Sequence, residues 1–295
     1  MRRTNQNLLI AFVGLLVVNL VIAFTPKNTK KVSFDENRFA IEEISEIQRV
    51  SIGELSLTKN GEVWLVNNQY PADPNLIQLL ISIMQRVAVK KPVNEYYGET
   101  LEVKINDEVA FSVSSNPTKT KTYFVAGEER FEVHIPGYNE FLGGIFELAP
   151  DQWRDRLLLD ASWRTIQELN LNYTDESRRE LSISFDENFF TVKDVAQLDS
   201  NSVVEYLNQF QVFQVNEWVS EGRFARYDSL AQTSPLANLT ISTINSEEPI
   251  AIDIFPQYAD ERFYLARVND GALMVIDEKR MGSILKSSSD FRLSD

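Results

Sequence analysis

Few side chains in this sequence are suited to chemistry. Among 295 residues there is no cysteine and one histidine, His134. The lack of cysteine removes disulfides, thiolate nucleophiles, Cys-bound zinc, iron–sulfur clusters and a lipidated-cysteine anchor. With one histidine, a zinc site would need three carboxylates, an unusual ligand set. His134 lies in Phe131-Glu-Val-His-Ile-Pro, where strand alternation sets it on the face opposite Val133 and Ile135. That placement predicts a partly exposed strand residue rather than a catalytic base. No Gly-x-Ser-x-Gly elbow surrounds a serine. No Gly-rich phosphate loop precedes a helix, so neither a nucleotide nor any other cofactor is expected.

Carboxylates are abundant, and that abundance weakens any one pair as an acid–base couple. Asp35-Glu36 and Glu42-Glu43 read as solvated faces, and Asp260-Glu261 as a turn before a strand. No calcium-loop spacing is present, so no metal is expected. One cluster stands apart, Trp153-Arg154-Asp155-Arg156, midway along the chain. An arginine fork holds a carboxylate through two parallel bonds, and tryptophan supplies apolar area beside it. Two roles fit such a cluster: pinning a linker to the domains on either side, or forming a peptide or glycan site at their junction.

Charge divides the chain. The net charge is −14, yet residues 1–31 hold five of the 29 basic residues and none of the 43 acids. The rest is therefore more acidic than the whole, and it repels nucleic acid at long range. Residues 8–24 read LLIAFVGLLVVNLVIAF, uncharged, with one amide at Asn19. As a helix this stretch spans roughly 25 Å, the short end of what crosses a bilayer. It exceeds the usual apolar core of a signal peptide and lacks a small-x-small exit, so an uncleaved membrane anchor is expected. The basic residues at its two ends nearly balance, and the short tail 1–7 is expected to stay in the cytoplasm.

The remaining pattern is mainly strand-like. Arg49-Val-Ser-Ile and Glu54-Leu-Ser-Leu alternate polar and apolar residues, as half-buried strands do. Asn60-Gly61 marks a hairpin, with Val63-Trp-Leu-Val returning. Asp73 and Pro74 suit the cap and first turn of a helix whose apolar face is Leu76, Leu80, Ile83 and Val87. Lys90-Lys91-Pro92 is expected to end that helix, its charges set against the dipole. Strands are predicted at 101–105, 109–113, 122–125 and 131–135, then a helical stretch over 140–146.

The second half repeats this order. Ile166-Gln-Glu-Leu-Asn-Leu answers Ile47-Gln-Arg-Val-Ser-Ile, and Glu180-Leu-Ser-Ile answers Glu54-Leu-Ser-Leu. Asp199 stands where Asp73 stood, ahead of a helix carrying Val203, Val204, Leu207 and Phe210, with Ser202 and Glu205 in capping-box spacing. Strands follow at 239–244, 250–254, 262–266 and 273–276. The predicted class is α+β: an N-terminal transmembrane helix, then two tandem, structurally similar β-rich domains, each a mostly antiparallel sheet with one main helix. The expected boundaries are 1–7 tail, 8–24 anchor, 25–38 tether, 39–150 first repeat, 151–162 linker and 163–290 second repeat.

Several of these stretches resemble the uncharacterised domain-of-unknown-function 4340 proteins of bacteria, in particular a Bacteroidetes branch. The likeness rests on Leu57-Thr-Lys-Asn-Gly-Glu-Val-Trp-Leu-Val-Asn, Tyr70-Pro-Ala-Asp, Val133-His-Ile-Pro-Gly-Tyr-Asn-Glu-Phe-Leu and Trp153-Arg-Asp-Arg. It covers nearly all of residues 39–285. The resemblance implies a single-span protein of the bacterial inner membrane with its C-terminal domain in the periplasm. It also implies an accessory role beside ABC-type transporters of the gliding-associated kind, and it supplies no catalytic residues. The expectation is a non-enzymatic accessory or binding protein that reaches the membrane through its N-terminal helix and takes an envelope protein as partner. A carboxylate-dependent envelope hydrolase and a structural spacer are the alternatives.

Overall fold

The computed structural model describes residues 34–94, 98–175, 180–259, 261–269 and 271–293. The expected tail 1–7, the anchor 8–24, most of the 25–38 tether and Asp260 lie outside the described residues. Among those described, no helix is long and apolar enough to cross a membrane.

The protein is β-rich, with antiparallel sheets and few helices. The first strands are β1 (Arg49–Ile52), β2 (Leu55–Asn60), β3 (Val63–Val66) and β4 (Tyr70–Pro71). Helix α1 (Pro74–Arg86) follows, then β5 (Ala88–Pro92), β6 (Leu101–Ile105), β7 (Glu108–Ser115), β8 (Thr122–Ala126) and β9 (Glu129–His134). These nine strands form one sheet in the order β4-β3-β2-β1-β6-β7-β8-β9-β5. The chain continues through β10 (Leu157–Leu159), β11 (Ile166–Tyr173), β12 (Leu181–Asp186), β13 (Phe189–Val192), α2 (Ser200–Asn208), β14 (Phe213–Gln214) and β15 (Glu217–Val219). Last come α3 (Ala225–Leu230), β16 (Ala237–Thr243), β17 (Ile250–Ile254), β18 (Phe263–Val268), β19 (Leu273–Asp277) and α4 (Glu278–Ile284). The second large sheet runs β13-β12-β11-β16-β17-β18-β19-β15, and β10 pairs with β14 in a separate ribbon. Leaving out β4, the two large sheets have the same strand order. In each, the chain leaves an opening three-stranded meander through a helix and lays its next sheet strand at the far edge.

Local chemistry sets the turns. The β2–β3 turn is Gly61-Glu62, with Asn60 still paired to Val63. Gly61 takes a φ of 61°, which its missing Cβ permits. Asn106 and Asp107 both have positive φ between β6 and β7, and the Asn106 Oδ1 accepts from the backbone N–H groups of Gln48 and Arg49. Asp73 caps α1 by accepting from Asn75 N–H at 2.8 Å, with Pro74 in the first turn. Asp199 caps α2 in the same way through Asn201 and Ser202. Its partner in spacing is not Glu205: the Ser202 hydroxyl donates back to Asp199 at 2.7 Å.

Two expectations for α1 are corrected. Its buried face is Ile77, Leu80, Ile83 and Met84, while Leu76 is only half-buried. The helix stops at Arg86, because Val87 turns to an extended ψ of 132° and its N–H closes on Ile83 O. Lys90, Lys91 and Pro92 therefore belong to β5, not to a helix end. There Ala88 and Val89 are buried against β9, and Lys90 and Lys91 both reach Glu132. Pairing with β9 outweighs the local helix-stop signal. The 140–146 stretch is a 3-10 turn at Gly143–Glu147.

The first core is aromatic. Phe111 stacks on Phe124 at 4.2 Å, and Phe39 and Phe146 meet them edge-on. Burying each such ring removes enough apolar surface to contribute about 2–3 kcal/mol. The second core is mainly aliphatic, built on Leu169, Leu171, Leu181, Ile183, Val203 and Leu207.

Candidate functional site

The Trp153-Arg-Asp-Arg cluster lies between the two sheets and is bonded on both sides. It follows a 3-10 turn, Pro150–Trp153, whose Trp153 is fully buried. Toward the first sheet, Arg154 forms a bridge with Ala72, Trp153 O accepts from Asp73 N–H at 2.7 Å, and Asp155 N–H donates to Pro71 O at 2.8 Å. Toward the second, Asp155 O accepts from Trp218 Nε1 at 2.8 Å and Arg156 O accepts from Val215 N–H at 2.9 Å.

The Arg154 guanidinium sits between two rings. Its central carbon is 3.5 Å from the Tyr70 ring centre and 4.0 Å from that of Trp218. Tyr70 comes from β4 and Trp218 from β15, so one cation is shared by aromatic groups of both sheets. The Asp155 carboxylate accepts from Leu157 N–H and shapes the exit into β10. Arg156 differs from its neighbours. It is exposed, and its side chain makes no hydrogen bond or ion pair among the described residues.

The most deeply buried carboxylate at the junction is Asp151, which the sequence did not single out. It is 4% exposed. Its Oδ2 accepts from Ser220 N–H at 3.0 Å and from the Arg223 guanidinium at 2.8 Å. The other arm of Arg223 reaches Glu217 at 2.8 Å. Burial acts to lower the Arg223 pKa, but the bonds and charges of Asp151 and Glu217 outweigh it and raise the pKa above the ordinary guanidinium value. A cation so held stays charged at any physiological pH. Asp151 and Arg223 stand 72 residues apart in the chain, so no local spacing could have shown the pair.

Among the hollows here, two adjoin, one at the junction and one walled from the second sheet's side alone. One, of 380 Å³, is walled by Leu76, Gln152, Arg156, Asn216, Glu217 and Trp218, among others. The next, of 630 Å³, shares Asn216 and Glu217 and adds Phe224, Arg226, Arg262 and Phe263. In its wall Glu261 accepts from Tyr227 Oη at 2.6 Å and pairs with Arg226 at 2.8 Å. Burial first, then that bond to Glu261, raises the Tyr227 pKa, so the phenol stays protonated at neutral pH. Leu76, expected in the core under α1, lines the first hollow instead.

The other chemical candidates are dispersed. His134 is half-buried on β9 opposite Ala88, and no serine or aspartate side chain bonds to it among the described residues. Asp35, Glu36, Glu42 and Glu43 are exposed. Among the described residues, no three His, Asp or Glu side chains gather closely enough to hold a metal ion. Comparison with protein-family models, with curated proteins and with solved structures returns no match.

Proposed function

We propose that this is a non-enzymatic accessory or binding protein of the bacterial cell envelope. In this reading residues 8–24 span the inner membrane, and an internally duplicated pair of β-rich domains in the periplasm engages a protein partner. The proposed context is an ABC-type transport complex of the gliding-associated kind, as the likeness to the domain-of-unknown-function 4340 family implies. The observation that carries the binding role is the junction. There, hollows walled by arginine and aromatic side chains lie beside acids that are already bonded within the protein. Such a surface is suited to hold a partner. The shared strand order of the two sheets supports the duplication.

A structural spacer is the second reading. The burial of Trp153 and the Asp151–Arg223 pair favour it, because they tie the two sheets into one body.

The test is crosslinked affinity purification of the full-length protein from native membranes, with mass spectrometry of what accompanies it. Recovery of an ABC permease or another defined envelope complex is the expected result. Recovery of abundant, unrelated envelope proteins alone counts against it, and shifts weight to the spacer or to a carboxylate-dependent hydrolase.

A further inference from the structure

We infer that the two hollows sharing Asn216 and Glu217 together form a docking groove for an extended acidic segment of the partner, an inference that rests on the accessory reading above. Charge selects the occupant. The acids in the groove walls are engaged within the protein. Asp73 caps α1, Asp151 and Glu217 hold Arg223, and Glu261 takes Arg226 and the Tyr227 hydroxyl. Two cations are not matched in this way. Arg156 in the first hollow and Arg262 in the second are exposed, and neither side chain has a hydrogen bond or ion pair among the described residues.

A chain of net charge −14 thus presents, in two adjoining hollows, two guanidinium forks with no partner among the described residues, beside acids already engaged within the protein. Guanidinium forks match carboxylates in geometry as well as in charge. The walls between them are apolar and aromatic, with Leu76, Trp218, Phe224, Phe263 and Val275. Arginine with aromatic residues is the composition of protein-binding hot spots, which favours a peptide as the occupant. The occupant is therefore an extended peptide segment in which Asp or Glu alternates with apolar residues.

The experiment pans a dodecapeptide phage library on the full-length protein in lipid nanodiscs, then measures binding of a synthetic peptide of the enriched sequence. The expected result is enrichment of acidic–apolar sequences. Binding should weaken about tenfold with Arg156→Glu and again with Arg262→Glu, the scale of a lost charge-assisted bond. Arg86→Glu, at an exposed arginine of α1 outside both hollows, should change binding by less than about twofold. Circular dichroism checks that each variant folds, and Arg→Gln replaces any that does not. Failure to enrich, enrichment of basic peptides, or binding indifferent to both arginines overturns the inference. So does arginine-dependent binding of polygalacturonate oligomers that exceeds that of any acidic peptide, which would make the groove a glycan site. If crosslinking recovers a defined envelope complex that the two arginine variants capture as well as the unaltered protein does, the accessory reading stands and the groove falls.

Discussion

The two large sheets share a strand order but finish their edges differently. In the first, β3 is covered by the chain itself: Tyr70 and Pro71 pair with it, and Ala72 N–H donates to Trp64 O. In the second, β13 pairs only with β12 among the described residues. The far edges differ as well. The first ends on β5, whose Lys90 and Lys91 gather around Glu132 and give the edge a charged finish. The second ends on β15, which is covered by the Pro150–Trp153 turn and followed by the excursion that holds Arg223 and α3. The strand order is common to both sheets, while the hollows and the Arg223 ion pairs form where β15 and its following excursion meet the rest of the chain.

The largest test of this contrast is Trp153→Ala. Removing a fully buried indole is expected to cost about 4 kcal/mol. Because Trp153 stands between the sheets, urea unfolding followed by circular dichroism should shift as a single transition. A shift confined to part of the amplitude would show that the sheets unfold separately, and that the junction belongs to one of them.

Next is Asp151→Ala, which leaves Arg223 without its buried partner and Ser220 N–H without its acceptor. About 3 kcal/mol is expected. Arg223→Met in the same background should cost much less than it does alone, with a coupling of about 2 kcal/mol in a double-mutant cycle. Additive costs would mean that the pair contributes no more than two separate packing contacts.

Acid sensitivity should divide the sheets. Burial acts to raise the Glu132 pKa, but the Lys90 bond and the charges of Lys90, Lys121 and Lys91 outweigh it and hold the carboxyl below its ordinary 4.5. A depressed carboxylate contributes stability above the unfolded value, and that contribution is lost as pH falls through the lower folded value. Below pH 4.5 the unaltered protein should therefore lose stability more steeply than Glu132→Gln does. At neutral pH the variant should already be about 1–2 kcal/mol less stable. Hydrogen exchange should place the acid-sensitive step in the first sheet, since the equivalent strand β19 reads Leu-Met-Val-Ile-Asp and is buried over its first four residues. Equal acid sensitivity in both sheets would remove Glu132 as the cause.

The smallest effects are at the helix caps. Asp73→Ala is expected to cost about 1 kcal/mol. At Asp199, the Ser202 hydroxyl and backbone N–H hold the carboxyl below its ordinary 3.8. Ser202→Ala should move that pKa up toward 3.8 in a carboxyl NMR titration. No movement would show that the hydroxyl bond is not what sets it.

Much of this fold could be read residue by residue. Arg49–Ile52 occupies the span that alternation assigned it, and Ile250–Ile254 the span that the repeated order assigned it. Asp73 and Asp199 cap the helices that their spacing announced, because a cap is a bond between residues two or three apart. The β5 misreading shows the limit. Lys-Lys-Pro is a reasonable helix stop locally, yet β9, a strand that begins 39 residues after Lys90, claims it for the sheet. The junction cluster was visible as residue types, while its use was not. Arg154 is held by Tyr70 and Trp218, which lie 84 and 64 residues away, and Asp151 carried no signal of its own.

By itself the sequence determined the alternating strands, the caps, and the repeated order of elements across two halves. These follow from periodicity and from bonds that close within a few residues. Only the tertiary structure decided which edge β5 and β15 would join. It also decided that Asp151 would be buried against Arg223, and that Arg156 and Arg262 would stand exposed, without a partner among the described residues, beside acids engaged elsewhere in the protein. Those outcomes depend on which charged groups lose their water when the two sheets come together, and desolvation is a property of the assembled surface rather than of any stretch of chain.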